Sequence, residues 1–185
     1  MTFSPPLRGQ LILLVIVVIV AAVTDLRSRR IPNWLTLSGV LSGIAMNVFI
    51  ADHWWDGLKF SLLGLALGFG IYVVLYVLRA MGAGDVKLMA AVGAIVGAEN
   101  WFGIFVVTAL AGGVLAIVFS ILKKRLGTTF WNVGFILSEM KHGRPAYLGK
   151  EELDVKSSKA LRMPHGAVIA LSTFIFLGLA AYYTK

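Results

Sequence analysis

Residues 81–97, MGAGDVKLMAAVGAIVG, set Asp85 and Lys87 between long apolar segments. An acidic side chain at membrane depth costs roughly 2.5–3.5 kcal/mol even on the lenient insertion scale. If the flanking segments span a bilayer, that cost must be offset by a helix cap, an ion-pair partner or a chemical role. The rest of the chain decides whether they do.

Of the 185 residues, 58% are hydrophobic and 14% charged. Soluble domains carry about 25% charge, so the balance is that of an integral membrane protein. Apolar runs long enough to cross about 30 Å of hydrocarbon as helices fall at about 7–24, 34–51, 58–78, 86–98, 102–122 and 164–183. The expected fold is therefore an all-α membrane protein, a single polytopic domain over 1–185 with six transmembrane helices. Six spans put both termini on one side. With the loops 24–33, 79–87 and 123–163 in the cytosol, these hold fourteen of the seventeen Lys and Arg, leaving Arg8, Lys59 and Lys185 outside. The positive-inside rule thus places the termini outside, with one longer cytosolic loop, 123–163, before the last helix. The net charge of +8 becomes a topology label, and nucleic acid is not an expected partner.

The apolar run LILLVIVVIVAAV resembles a signal-peptide core, but cleavage there would send Arg27, Arg29 and Arg30 outward, so a retained span is expected. In the long loop, FWNVGFIL (130–137) is too short to span and is expected at the membrane surface, with the polar KEELDVKSSKALR beyond it exposed. Glycines four apart, Gly39/Gly43, Gly64/Gly68 and Gly93/Gly97, are expected to bring helix backbones close.

This topology sorts the acids. Asp52, Asp56 and Glu99 fall in outer loops, and Glu139, Glu151, Glu152 and Asp154 in the long inner one. Asp25, in VAAVTDLRSRRIPN, and Asp85 alone sit where a span meets the cytosol, at matched depth on one face. Singly, each has a plain explanation: Asp85 as an N-cap, Asp25 as an acid neutralised by Arg27, Arg29 or Arg30. Together they suggest more. Two neighbouring carboxylates share one proton, and a water between them can be activated by the charged member while the neutral one protonates an amide carbonyl. That is aspartic peptide hydrolysis, which needs no cofactor. Gly82 and Gly84 would permit unusual backbone angles and close approach of a substrate chain. Helix polarity favours Asp85 as base and Asp25 as acid, the arginines pull the other way, and the pair is best treated as a unit. Cysteine is absent, and none of His53, His142 and His165 lies four residues from another, so no metal site is expected.

These residues resemble the type IV prepilin peptidase family, GxGD-type intramembrane aspartic proteases, in the short form found with Tad/Flp-like pili. TDLRSRRIPN carries the match through Asp25, Arg30, Ile31, Pro32 and Asn33; MGAGDVKLMAAVGAIVG through Gly82, Gly84, Asp85, Lys87 and Leu88; and MPHGAVIA through Pro164, with His165 where an aromatic is usual. The resemblance implies catalysis by Asp25 and Asp85, with Gly82, Gly84, Lys87, Arg30, Pro32, Asn33 and Pro164 in support. It also implies pilin-like precursors as partners, cut at the cytosolic edge of a bacterial inner membrane where a short basic leader meets an apolar helix. Long members carry a cytosolic insert with paired CxxC motifs linked to N-methylation. Here a short Arg-rich loop joins the first two spans, so a peptidase without methyltransferase activity is expected. The alternatives are a presenilin- or signal-peptide-peptidase-like protease, which would cut deep within a span, and a small proton-coupled transporter, which would carry midplane acids and a repeated half.

Overall fold

The computed structural model describes residues 8–124, 126–141 and 164–183, and every regular element among them is an α-helix. The helices are α1 (Arg8–Ser28), α2 (Asn33–Ile50), α3 (Trp54–Val77), α4 (Ala83–Leu122), α5 (Leu126–Lys141) and α6 (His165–Tyr183). Five of them, all but α5, are long and apolar enough to cross a membrane.

Helix α4 departs from the expected pair of spans at 86–98 and 102–122. Its 40 residues form one element in which Gly97 alone leaves helical geometry, at φ 73° and ψ 175°. No loop is needed, because glycine adopts this positive φ without the clash a Cβ would bring. The break reverses the chain. The Trp101 indole N–H donates to the Met89 carbonyl at 2.9 Å, whereas twelve residues of straight helix would separate the two by about 18 Å.

Glycine contacts fix how the helices run. Gly9 lies against Met46 and Gly39 against Val17, so α1 and α2 are antiparallel. Gly57 abuts Asn47, and Gly64 and Gly68 abut Gly93 and Met89, which sets α3 antiparallel to α2 and to the first half of α4. In the second half, Gly103 meets Phe176 and Gly112 faces Val168, so this segment runs antiparallel to α6. At Gly64 a Cβ would fall on the Gly93 carbonyl. The expected close approach of backbones at the four-spaced glycines is borne out for Gly64 and Gly93.

Every residue from Leu88 to Gly97 is buried, so the first half of α4 is the centre of the bundle. Apolar on every face, it needs neighbours all round: α2 meets it at Gly39 and Gly43, α3 at Gly64 and Gly68, and its own second half at Trp101. The second half presents Leu110, Val114, Ile117 and Leu122 outward, a surface suited to hydrocarbon. The break at Gly97 leaves carbonyls of the preceding turn without helical donors. The Asn47 amide supplies two, donating to Ala94 O at 3.0 Å and Ile95 O at 3.1 Å. It is itself held by Gln10, which donates to Asn47 Oδ1 at 2.6 Å, and it donates to Ser61 Oγ at 2.8 Å. Asn47 is buried inside the bundle, where such groups have to be satisfied by protein partners.

At the opposite end of the bundle lie the exits of α1, α3 and α4 and the entries of α2, α4 and α6. The three exits turn through Arg29, Arg79 and Lys124, each in the left-handed region with φ of 51–56°. Such a cap usually takes glycine; here a cation faces the negative end of each helix dipole. Helix α5 contains the whole 130–137 stretch, with Trp131 exposed. The exposed segment expected at 150–162 lies outside the described residues.

Candidate active site

Asp25 belongs to the last turns of α1, which continues to Ser28, beyond the expected span end at 24. The side chain is buried, with 8% of the residue exposed. Its partner comes from the far end of the sequence: the Gly166 N–H, in the first turn of α6, donates to Asp25 Oδ2 at 2.8 Å. The first N–H groups of a helix lack intrahelical acceptors and point at whatever anion lies before them. Gly166 has to be small as well, since a Cβ there would stand 3.0 Å from that oxygen and 3.2 Å from Ile31 Cδ1. Among the described residues Asp25 forms no salt bridge: the ion pair found there is Asp56–Lys59, at 3.9 Å, and Arg27, Arg29 and Arg30 are exposed.

Asp85 is not the N-cap of α4. That position is Gly82, and Asp85, in the first turn, reaches back so that its Oδ2 accepts the Gly82 N–H at 3.2 Å. The glycines serve this geometry without unusual backbone angles. Gly82 is extended at φ −81° and ψ 153°, and Gly97 is the positive-φ glycine among those described. Close approach is what Gly84 provides, because its would-be Cβ lies 3.3 Å from Ile31 Cβ. The loop after Asp25 is thereby pressed onto the turn before Asp85.

The two carboxylates line one cavity of about 470 Å³, together with Arg29, Arg30, Ile31, Pro32, Asn33, Gly82, Ala83, Gly84 and Lys87, and they lie close enough for their charges to interact. Eight of the nine residues singled out from the sequence are thus brought together: Asp25, Asp85, Gly82, Gly84, Lys87, Arg30, Pro32 and Asn33. The ninth, Pro164, precedes α6, where its carbonyl accepts the Val168 N–H at 3.4 Å; it starts the helix that holds Asp25 and is not a lining residue. Pro32 plays the matching part as N-cap of α2. Lys87 Nζ donates to Asn33 Oδ1 at 2.9 Å, tying the two motifs together at the rim.

Two contributors are missing from the sequence-derived set. Gly166 acts through a backbone amide, which no side-chain pattern advertises; its place in MPHG was the available signal. Tyr72, 1% exposed, packs edge-on against Trp101 and Phe105 and lies 6.2 Å from the His165 ring. It is also within electrostatic range of Asp85. His165 therefore occupies its aromatic-type position as a ring packed on a ring. Among the described residues no three His, Asp or Glu side chains gather in a way that could hold a metal.

The family model for the type IV leader peptidase family matches residues 12–117, a stretch that contains both aspartates. The chain is 31% identical over 134 residues to the prepilin leader peptidase/N-methyltransferase of Escherichia coli K12, covering 69% of this chain and 58% of that protein. It is 32% identical over 108 residues to the protein of the same name in Xanthomonas campestris pv. campestris, covering 55% of this chain and 37% of that one. The matches thus span about half the length of these relatives. No solved structure matches significantly. A family match across more than half the chain, with the GxGD and Ile-Pro-Asn motifs folded against each other, places this protein in the type IV leader peptidase family.

Proposed function

We propose that the chain is a membrane-embedded aspartic endopeptidase that removes the short basic leader of pilin-like precursors at the cytosolic edge of the bacterial inner membrane. The observation that carries this reading is the shared cavity. Two carboxylates 60 residues apart in sequence line one space, and each is held by backbone amides, Asp25 from the start of α6 and Asp85 from Gly82. In the proposed reaction the pair shares one proton. The charged carboxylate takes a proton from a water as its oxygen attacks the scissile carbonyl carbon, and the protonated one gives its proton to the carbonyl oxygen. As the tetrahedral diol collapses and the C–N bond breaks, one diol hydroxyl returns its proton to the charged carboxylate while the leaving amine takes a proton from the other, which restores the dyad with one shared proton.

The topology is part of the proposal. If α4 crosses the bilayer twice, with Gly97 at the far surface, the chain makes six crossings. The basic turns at Arg29, Arg79 and Lys124 then lie beside the cavity on the cytosolic side. A basic leader would remain in that compartment. The turn joining α1 to α2 spans only residues 29–32 and the chain has no cysteine, which supports a peptidase lacking the methyltransferase function named in its relatives.

The test is cleavage of a pilin precursor by purified protein in detergent. Asp25→Asn and Asp85→Asn should each abolish leader removal while leaving membrane insertion and melting behaviour intact. A folded variant of either kind that still cuts the precursor would refute the dyad.

A further inference from the structure

Helices α2 and α3 do not stay parallel. Toward the Gly97 end they touch, since a Cβ on Gly57 would overlap the Asn47 backbone and Asn47 bonds Ser61 directly. Toward the aspartates they part, and between them opens a groove of about 340 Å³. It is lined by Thr36, Leu37 and Val40 of α2, Phe69 of α3 and Ala90 of α4, with Asn33 and Lys87 at one end. Thr36 and Ala90 are buried, whereas Leu37 and Phe69 are 60% and 48% exposed, so the groove opens sideways through its apolar rim. Asn33 and Lys87 also line the cavity of the two aspartates. The two spaces therefore adjoin, and the exposed Lys87–Asn33 hydrogen bond lies on their shared border.

We infer that this groove docks the apolar helix that follows the scissile bond, so that a membrane-inserted precursor enters sideways between α2 and α3. The inference rests on the peptidase reading and extends it to the substrate. Position beside the dyad identifies the occupant. A helix seated among Leu37, Val40 and Phe69 brings its end to Lys87 and Asn33, which also line the cavity of the aspartates. An acyl chain could fill the same apolar walls, but it would gain nothing from the polar end or from the nearby dyad. The lining is apolar on the sides with a few polar groups at one end, as expected where burial supplies affinity and the polar end sets position. The side chains of the docked helix then act as a specificity element, read by Val40 and Phe69 on the walls and Ala90 on the floor.

The absence of native cysteine makes the test direct. In the uncut background of Asp85→Asn, a Val40→Cys variant should form a disulfide with a precursor carrying one cysteine in the first two turns after its cleavage site. A Leu110→Cys variant, on the outward face of α4, should not. Independently, Ala90→Trp fills the floor and should raise KM for the intact precursor about tenfold or more with kcat near wild type, the signature of lost uniform binding. Equal crosslinking at both positions, no crosslink at Val40, or an unchanged KM in a folded Ala90→Trp protein overturns the groove as the dock, provided that wild-type protein cuts the same precursor. A precursor that wild type leaves intact overturns the peptidase reading instead, and the inference with it.

Discussion

Replacing Gly166 by alanine tests whether the amide of α6 positions the Asp25 carboxylate for the proposed cleavage. Backbone strain does not enter, because Gly166 is helical and lies outside the positive-φ region. The new methyl would stand 3.0 Å from Asp25 Oδ2, 3.2 Å from Asp25 Cβ and 3.2 Å from Ile31 Cδ1. All three are closer than ordinary van der Waals contact, and the first two belong to the group that must stay in place. Relief requires Asp25 to shift by a few tenths of an ångström, which lengthens or breaks the 2.8 Å bond from the Gly166 amide. A hydrogen bond to a charged group contributes about 1.5–3 kcal/mol. At about 1.4 kcal/mol per decade of rate, its loss from the reacting geometry lowers kcat by roughly 10- to 150-fold. The assay is initial-rate cleavage of a precursor in detergent, with a thermal melt on the same sample. Gly178→Ala, also on α6 but with nothing within 4 Å of its Cβ, is the control and should match wild type. A folded Gly166→Ala protein that cleaves within about twofold of wild type would show that the amide does not hold Asp25 in its working position, since a real constraint costs tenfold or more.

Three further outcomes follow from the packing. Gly97→Ala places a Cβ onto the Phe60 ring at a φ of 73°; a melt should show a loss of about 2 kcal/mol or more from combined strain and overpacking. Asn47→Leu strips donors from the carbonyls of Ala94 and Ile95 and from Ser61 Oγ. Each unsatisfied buried group costs about 1–3 kcal/mol, so the yield of folded protein after detergent extraction should fall sharply. Gly64→Ala forces a methyl into the Gly93 carbonyl, while Gly70→Ala on the same helix meets nothing within 4 Å. The first should lose folded protein on size exclusion and the second should keep it.

Much of this was legible in the sequence because lipid imposes a coarse code. Four expected spans lie within a few residues of α1, α2, α3 and α6, since long apolar runs can satisfy their backbones only as helices. The pairing of Asp25 with Asp85 followed from counting crossings, which put both at one depth, and the shared cavity agrees with it. The reasons behind individual residues were less accessible. Gly82 and Gly84 read as positions of backbone freedom, yet the first offers its amide to Asp85 and the second makes room for Ile31. Hydropathy implied a connection near 99–101 within α4 because Glu99 and Asn100 interrupt the apolar run; the break falls at Gly97 instead, where one glycine at positive φ does what the pattern assigned to a loop. Gly166 escaped for a related cause: a backbone donor has no composition, and its acceptor lies 141 residues away.

That separation has a consequence for biosynthesis. Asp25 and Asp85 are both made before α6, yet the amide that holds Asp25 arrives only with α6. While the intervening residues are still being translated, the first two motifs can insert and meet without the clamp. On the proposed peptidase reading, hydrolytic competence would then switch on late, near the completion of synthesis, once α6 has taken its place in the bundle.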